Sequence, residues 1–436
     1  MEPAQVRVLA APSPRRPAVA VWAALVAVLA AAILLRLIFP GDIEFNNDQL
    51  WLFNLTQQAG RGMPWPWLGL PSSAQVAAPG LSVWTFVAMA RLGGIHTPIG
   101  LGLAVKLLNL VAIVLLIGFA YFVVEAPQRE LWLWAAAFEA VNPVCVWLER
   151  KIWQPSIFPI FTVVFLALWW RRARPRAAFG WGLMGALLGQ VQGSGFFFAA
   201  GLALWAWLFD RRNAQWRAWL CGSIIGALPM VPWIIYMARE LGRGQAPHSR
   251  WINLLDPRFY TAWFSLPFGL NLHDPLGRDF YSFLRYPLIG QMPSYGAALL
   301  HLMLLAIGCW ILGRGAIRLW QDRGSWRTFI VGRESQTAFT QQAALLGFGG
   351  LMTLSGLPGH IHYLVIAFPL IFVWLARTVL HDTALSVLAP GGRQKLALLW
   401  VVEFLLSLMF LLFIHQNHGA PGGDFGVVCR NCGFIN

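Results

Sequence analysis

Apolar runs of about 20 residues recur along this chain, each long enough as a helix to cross a hydrocarbon core of ~30 Å. They fall at 18–39, 100–124 and 131–148, with a fourth that follows ERKIWQPS and stops at RRARPR. The stretch 177–209 is apolar throughout and basic at both ends. At ~50 Å it is too long for one crossing. It therefore predicts a hairpin of two short helices with GQVQGSG at the tip. Further spans are expected at 219–237, 295–312, 338–354, 360–380 and 396–415. The pattern predicts an all-α polytopic membrane protein of about eleven spans. A β-barrel would instead show strands of about ten residues with alternating polarity.

The polar positions set the sidedness. Arg7, Arg15 and Arg16 precede the first run, and Arg314, Arg318, Arg323, Arg327, Arg333, Arg393 and Lys395 crowd later short connections. The positive-inside rule then puts residues 1–17 in the cytoplasm. Two long segments, 40–98 and 238–293, face outside with the tail 416–436, around a transmembrane domain at 18–415. Within 40–98, NDQLWLFNLTQQA and GLSVWTFVAMARL are short for full spans and read as interfacial helices. RWINLLDPRFYTAWF, in the second segment, reads as a mobile cover. The first run could pass for a signal peptide, but its length and the spans that follow make it a retained helix.

Composition agrees. The chain is 58% hydrophobic and 11% charged, against roughly a quarter charged for soluble proteins, with a mean hydropathy of +0.60. The net charge of +14 resides mostly in the short connections, so it carries no sign of nucleic-acid binding. The 24 Trp suit headgroup depth. Ala-, Arg- and Trp-rich usage with short cytoplasmic loops points to a bacterial inner membrane. Cys429 and Cys432 fall in the external tail, where an oxidising compartment permits a disulfide; a metal would need partners that the tail lacks.

Polar groups at a membrane are costly and are functional candidates by default. Four sets come to the external side: Asp42, Glu44 and Asp48 after the first span; Glu149, Arg150, Lys151 and Gln154 after the third; Gln190 and Gln192 at the hairpin tip; and GLPGHIHY, with His360, His362 and Tyr363, before the tenth. Each has a plainer reading. The acids also fit a solvated loop start, the cations interfacial snorkelling, the histidines a helix cap, and the glutamines bonds across the hairpin.

The order of these features resembles the GT-C superfamily of membrane glycosyltransferases, which use polyprenyl-phosphate sugars. The nearest branch is the protein O-mannosyltransferase-like and lipid A aminoarabinose transferase-like one, over residues 18–380. The resemblance implies a GT-C-like bundle with a lipid-linked donor, an acceptor glycan, lipid or protein, and no obligatory cofactor; it leaves room for a divalent cation. It implies that Asp48 is the catalytic acid of the first external loop, acting as base on the acceptor. The usual second acid is replaced by Gln49. The acid-before-proline position is Gln154–Pro155, with Glu149 close by. His362–Tyr363 and Gln192 match the family's late basic residue and polar hairpin tip. Arg150, Lys151 and His362 then serve the departing phosphate. Two other readings stand beside it. A transporter or flippase would use Glu139, Glu403 and Lys106 within the spans, and a non-catalytic homologue would account for the absent acids.

Overall fold

The computed structural model describes residues 19–71, 77–242, 256–321, 326–357, 359–381 and 391–429. The chain is all-α. The first half holds α1 (Val19–Leu37), α2 (Asn47–Gln58), α3 (Leu81–Leu92), α4 (Pro98–Phe122), α5 (Arg129–Val141), α6 (Pro143–Leu148), α7 (Phe158–Trp170), α8 (Pro175–Val191), α9 (Ser194–Phe209), α10 (Trp216–Ala227) and α11 (Val231–Gly242). The second half holds α12 (Arg258–Ser265), α13 (His273–Leu276), α14 (Phe280–Leu284), α15 (Gly296–Gln321), α16 (Trp326–Val331), α17 (Gln336–Gln342), α18 (Gly349–Leu354), α19 (Phe368–Leu380) and α20 (Gly392–Asn417). The described strands form three small antiparallel hairpins: β1 (Leu68–Pro71) with β2 (Ala77–Pro79), β3 (Leu288–Ile289) with β4 (Met292–Pro293), and β5 (Gly419–Ala420) with β6 (Gly426–Val427).

A helical segment stands at each place where the apolar pattern predicts a span. Among the described residues five segments, Pro98–Phe122, Trp216–Glu240, Gly296–Gln321, Ile361–Leu380 and Gly392–Asn417, are long and apolar enough to cross a membrane by length and composition. Trp216–Glu240 turns Leu220, Ile224, Leu228, Ile234 and Ile235 outward, as a lipid-facing helix does. The hairpin at 177–209 is α8 and α9, joined through Gln192 and Gly193. α8 packs on α10 through glycines: a Cβ on Gly222 would sit 1.9 Å from the Phe179 carbonyl oxygen, and one on Gly182 2.0 Å from that of Trp219. Small residues let the two backbones approach in this way.

Several predicted spans are not single α-helices; the seventh, for one, passes through a 3₁₀ turn, Leu228–Met230, between α10 and α11. The segment 131–148 breaks at Asn142–Pro143 into α5 and α6, because proline has no N–H to continue the ladder and Asn142 starts a new cap. The ninth passes through a π-helical stretch, Ala343–Phe348, between α17 and α18. The tenth begins as a 3₁₀ turn, Ile361–Ala367, ahead of α19. In the second long segment, α12–α14 follow residues 243–255, which lie outside the described residues; so does the first part of the expected cover, RWINLL. The tail does not simply trail away. β5 and β6 fold it back onto the first loop, where Glu44 and Val428 form an antiparallel bridge. Cys429 is disulfide-bonded, Cys432 lies outside the described residues, and Cys145, Cys221 and Cys309 are free.

Candidate functional site

The run Glu149–Arg150–Lys151 follows α6, and its three side chains go to three different places. The loop is held from α4, where Asn109 donates its side-chain amide to the carbonyls of Glu149 (3.0 Å) and Ser156 (2.9 Å). Glu149 turns inward to Arg36 of α1, which is fully buried and reaches it through Nε (3.0 Å) and Nη2 (2.5 Å). Arg36 also donates to the carbonyls of Glu139 (2.9 Å) and Ala140 (2.8 Å). These carbonyls are left over at the α5–α6 break, since Pro143 has no N–H and Asn142 Oδ1 takes the N–H of Val144. Arg36 and Glu149 thus brace a broken helix.

Arg150 runs the other way. Its guanidinium donates to the carbonyls of Leu35, Arg36, Ile38 and Phe39 at 2.7–3.0 Å and of Asp42 at 3.5 Å. It caps the C-terminal end of α1, where a cation meets both the orphan carbonyls and the negative end of the helix dipole. Lys151 alone of the three, though buried, lines a cavity. Its ammonium pairs with Glu44 at 2.6 Å and lies over the rings of Trp153 (4.4 Å) and Trp147 (4.9 Å).

Glu44 is buried and accepts from Trp147 Nε1 at 3.0 Å and Gln49 Nε2 at 3.4 Å. Gln49 has a second use: its Oε1 accepts the Asn46 backbone N–H at 2.9 Å, completing a capping box on α2. The residue that completes the cap of α2 therefore also holds Glu44. Burial raises the Glu44 carboxyl above its ordinary 4.5; Lys151 and Trp147 pull it back, and the negative charge of Asp424 adds to the rise.

Lys151, Trp147 and Trp153 line a cavity of about 450 Å³. His360, His362 and Gly359 close it from the loop before α19, Arg258 and Ser265 from α12, His273 and Asp274 from α13, and Asp424 from the tail. The rings of His360 and His362 stack at 5.2 Å, and His362 meets Trp153 edge-on at 4.7 Å. Tyr363 packs beneath both histidines, 4.5 Å from the His362 ring and 5.5 Å from that of His360. Burial raises the Asp274 carboxyl, against the pull of His273, which pairs with it at 2.9 Å. One wall thus offers an ammonium and two imidazoles, and others offer carboxylates. That is an arrangement for an anion beside a proton-accepting group. Among the described residues no group of three His, Cys, Asp or Glu side chains is placed to hold a metal ion.

The other candidates lie apart from the cavity lining. Asp48 is exposed on the first turn of α2, and no partner holds its carboxylate among the described residues. Asp42 is buried behind the first loop, 2.7 Å from His415 Nδ1 of α20. Gln154 is buried at the start of a 3₁₀ turn. At the hairpin, Gln192 accepts from Ser194 at 3.3 Å, while Gln190 donates to the Gly226 carbonyl at 2.6 Å. Within the spans, Glu403 accepts from Asn142 at 3.2 Å and Lys106 donates to the Pro40 carbonyl at 2.8 Å.

The sequence reading overlooked Arg36, Asp274, Arg258 and Asp424. Arg36 carried a signal, being a cation inside the first apolar run. Asp424 carried none, because nothing in GGDFG says that the tail returns to the first loop.

A scan against protein-family models finds no match, and a search of curated proteins finds none. Among solved structures, the chain is similar to the oligosaccharyltransferase of Archaeoglobus fulgidus in its apo form, at 13% identity and a TM-score of 0.46. The likeness covers 88% of this chain and 56% of that one, so the chain spans about half that protein's length. At that score it carries no weight for fold, substrate or residue.

Proposed function

We propose that this chain is a GT-C-like membrane glycosyltransferase that moves a sugar from a polyprenyl-phosphate donor to an acceptor within the cavity before α19. The observation that carries the reading is the Lys151–Glu44 pair at 2.6 Å, with His360 and His362 on the same cavity. A lipid phosphate entering sideways from the bilayer meets cations near headgroup depth. Lys151, held by Glu44 and two indole rings, neutralises the charge that grows on the phosphate as the sugar leaves. Glu44 positions that ammonium. The resemblance gives the base to Asp48; the geometry favours a carboxylate that lines the cavity. The proposed setting is the external face of a bacterial inner membrane, with the N-terminus cytoplasmic. The mid-span polar groups favour bracing over transport, since Arg36 and Asn142 are committed to internal partners.

The test is transfer of radiolabelled sugar from a panel of polyprenyl-phosphate hexoses and pentoses to membrane-extract acceptors by purified protein, beside Lys151→Met. Transfer by the wild type and its loss in a folded Lys151→Met variant support the site. Equal transfer by both places the chemistry elsewhere.

A further inference from the structure

The tail is tied to the site at many points. Its backbone bridges Glu44 through Val428, and the Cys429 N–H donates to the Ile43 carbonyl at 3.3 Å. Asn46 of the first loop donates its side-chain amide to the Asp424 carbonyl at 2.7 Å. On the other flank, the Arg278 N–H donates to the Gly422 carbonyl (3.0 Å), the Phe425 N–H to that of Pro275 (2.9 Å) and the Gly422 N–H to Asp279 Oδ2 (2.8 Å). The fit leaves no room for side chains. A Cβ on Gly423 would stand 2.2 Å from the Leu276 carbonyl carbon, and Gly426 takes a left-handed φ of +63° with Asn46 Oδ1 2.3 Å from where its Cβ would be. Phe425, Val428 and Cys429 are buried, whereas Asp424 just before them is exposed and lines the cavity.

The carboxylates around this cavity are not equivalent. Glu44 is spent on Lys151, and Asp274 on His273. Among the described residues no partner holds the carboxylate of Asp424. We infer that Asp424, carried on a tail clasped between the first loop and α13, is the general base of the transfer. The inference rests on the glycosyltransferase reading. The acceptor O–H or N–H gives its proton to the Asp424 carboxylate as its oxygen or nitrogen attacks the anomeric carbon. The bond from that carbon to the phosphate oxygen breaks, and its electron pair leaves with the polyprenyl phosphate beside Lys151. A base on the tail and a cation on the α6–α7 loop, on different walls of one cavity, suit a single displacement with inversion.

The experiment compares full-length wild type, Asp424→Asn, Asp424→Glu and Asp48→Asn. It measures kcat and the donor KM across pH, with the same donor panel, and separately the binding of sugar-free polyprenyl phosphate by quenching of tryptophan fluorescence. Asp424→Asn is expected to lower kcat by about 10²–10⁴-fold, to keep the lipid-phosphate affinity within about twofold, and to lose the acidic limb of the pH–rate profile. Asp424→Glu should recover part of the rate with that limb restored. Wild-type kcat in Asp424→Asn, or the same loss in Asn and Glu variants with an unchanged pH profile, overturns the inference and leaves the transfer reading standing. Collapse of activity in Asp48→Asn alone also overturns it, in favour of the first loop. A wild type that neither binds polyprenyl phosphate nor releases sugar overturns the transfer reading and this inference with it.

Discussion

Two ion pairs lie close to one another in this protein, and neighbouring residues supply half of each. Glu149 pairs with Arg36, and Lys151 with Glu44. All four side chains are nearly or wholly buried. In the first pair, the arginine's remaining donors go to carbonyls freed by a proline break, and both partners are fully enclosed. In the second, the lysine lines a cavity between two tryptophans. The difference teaches that a buried charge pair becomes a site only where a ligand can reach one of its partners. Sealed in, the same chemistry is a brace.

The largest effect should come from the brace. Arg36→Met leaves Glu149 buried and unpaired, a change that costs about 3–5 kcal/mol. The expected outcome is a large fall in purified yield and in the melting temperature in detergent; a wild-type melt would show that the pair braces nothing. Replacing both partners, Arg36→Met with Glu149→Leu, should recover part of the loss.

Lys151→Met tests the other half. It also leaves a buried carboxylate, Glu44, without its ion pair, but Glu44 keeps the bonds from Trp147 and Gln49, so the melt should fall less than that of Arg36→Met while transfer drops roughly 10²–10³-fold. A melt as damaged as that of Arg36→Met would erase the distinction between the pairs.

Glu44 offers a pH test. Its carboxyl is raised above 4.5 in the folded protein because burial outweighs the pull of Lys151. The folded chain therefore keeps this proton to higher pH than the unfolded chain does. Its contribution to stability is full below the unfolded value and is lost as pH rises through the raised folded one. Melting temperature should decline across that window in the wild type, and Glu44→Gln should flatten the decline. An unchanged slope would mean that Glu44 does not titrate there.

The smallest effect is expected at Asp48. An exposed side chain without a partner is worth within about 0.5 kcal/mol, so Asp48→Asn should keep both its melt and, with Asp424 as base, its transfer rate within about twofold. A dead but folded Asp48→Asn would return the base to α2.

How much of this could be read beforehand differs from element to element. The helices at 100–124 and 396–415 follow from unbroken apolar length, and the α8–α9 hairpin from a run too long for one crossing with cations at both ends. The break at Asn142–Pro143 was open to a local reading, because proline acts on its own neighbours, but the apolar pattern masked it. The expectation that Lys151, His360 and His362 group together followed from the alternation of their loops with basic connections, and all three line one cavity. The separate fates of Glu149, Arg150 and Lys151 did not follow from that alternation, since adjacent side chains differ only in what the rest of the fold sets beside each.

By itself the sequence determined the material and the plan: apolar lengths that require helices in lipid, and prolines and glycines that break or pack them. These are properties of neighbours along the chain. The tertiary structure alone decided which charges are sealed and which are reachable, and that a tail some 380 residues beyond Glu44 (Asp424 lies 378 residues after Asn46) returns to its side. Burial and long-range pairing depend on what packs around a group, and no local pattern specifies that.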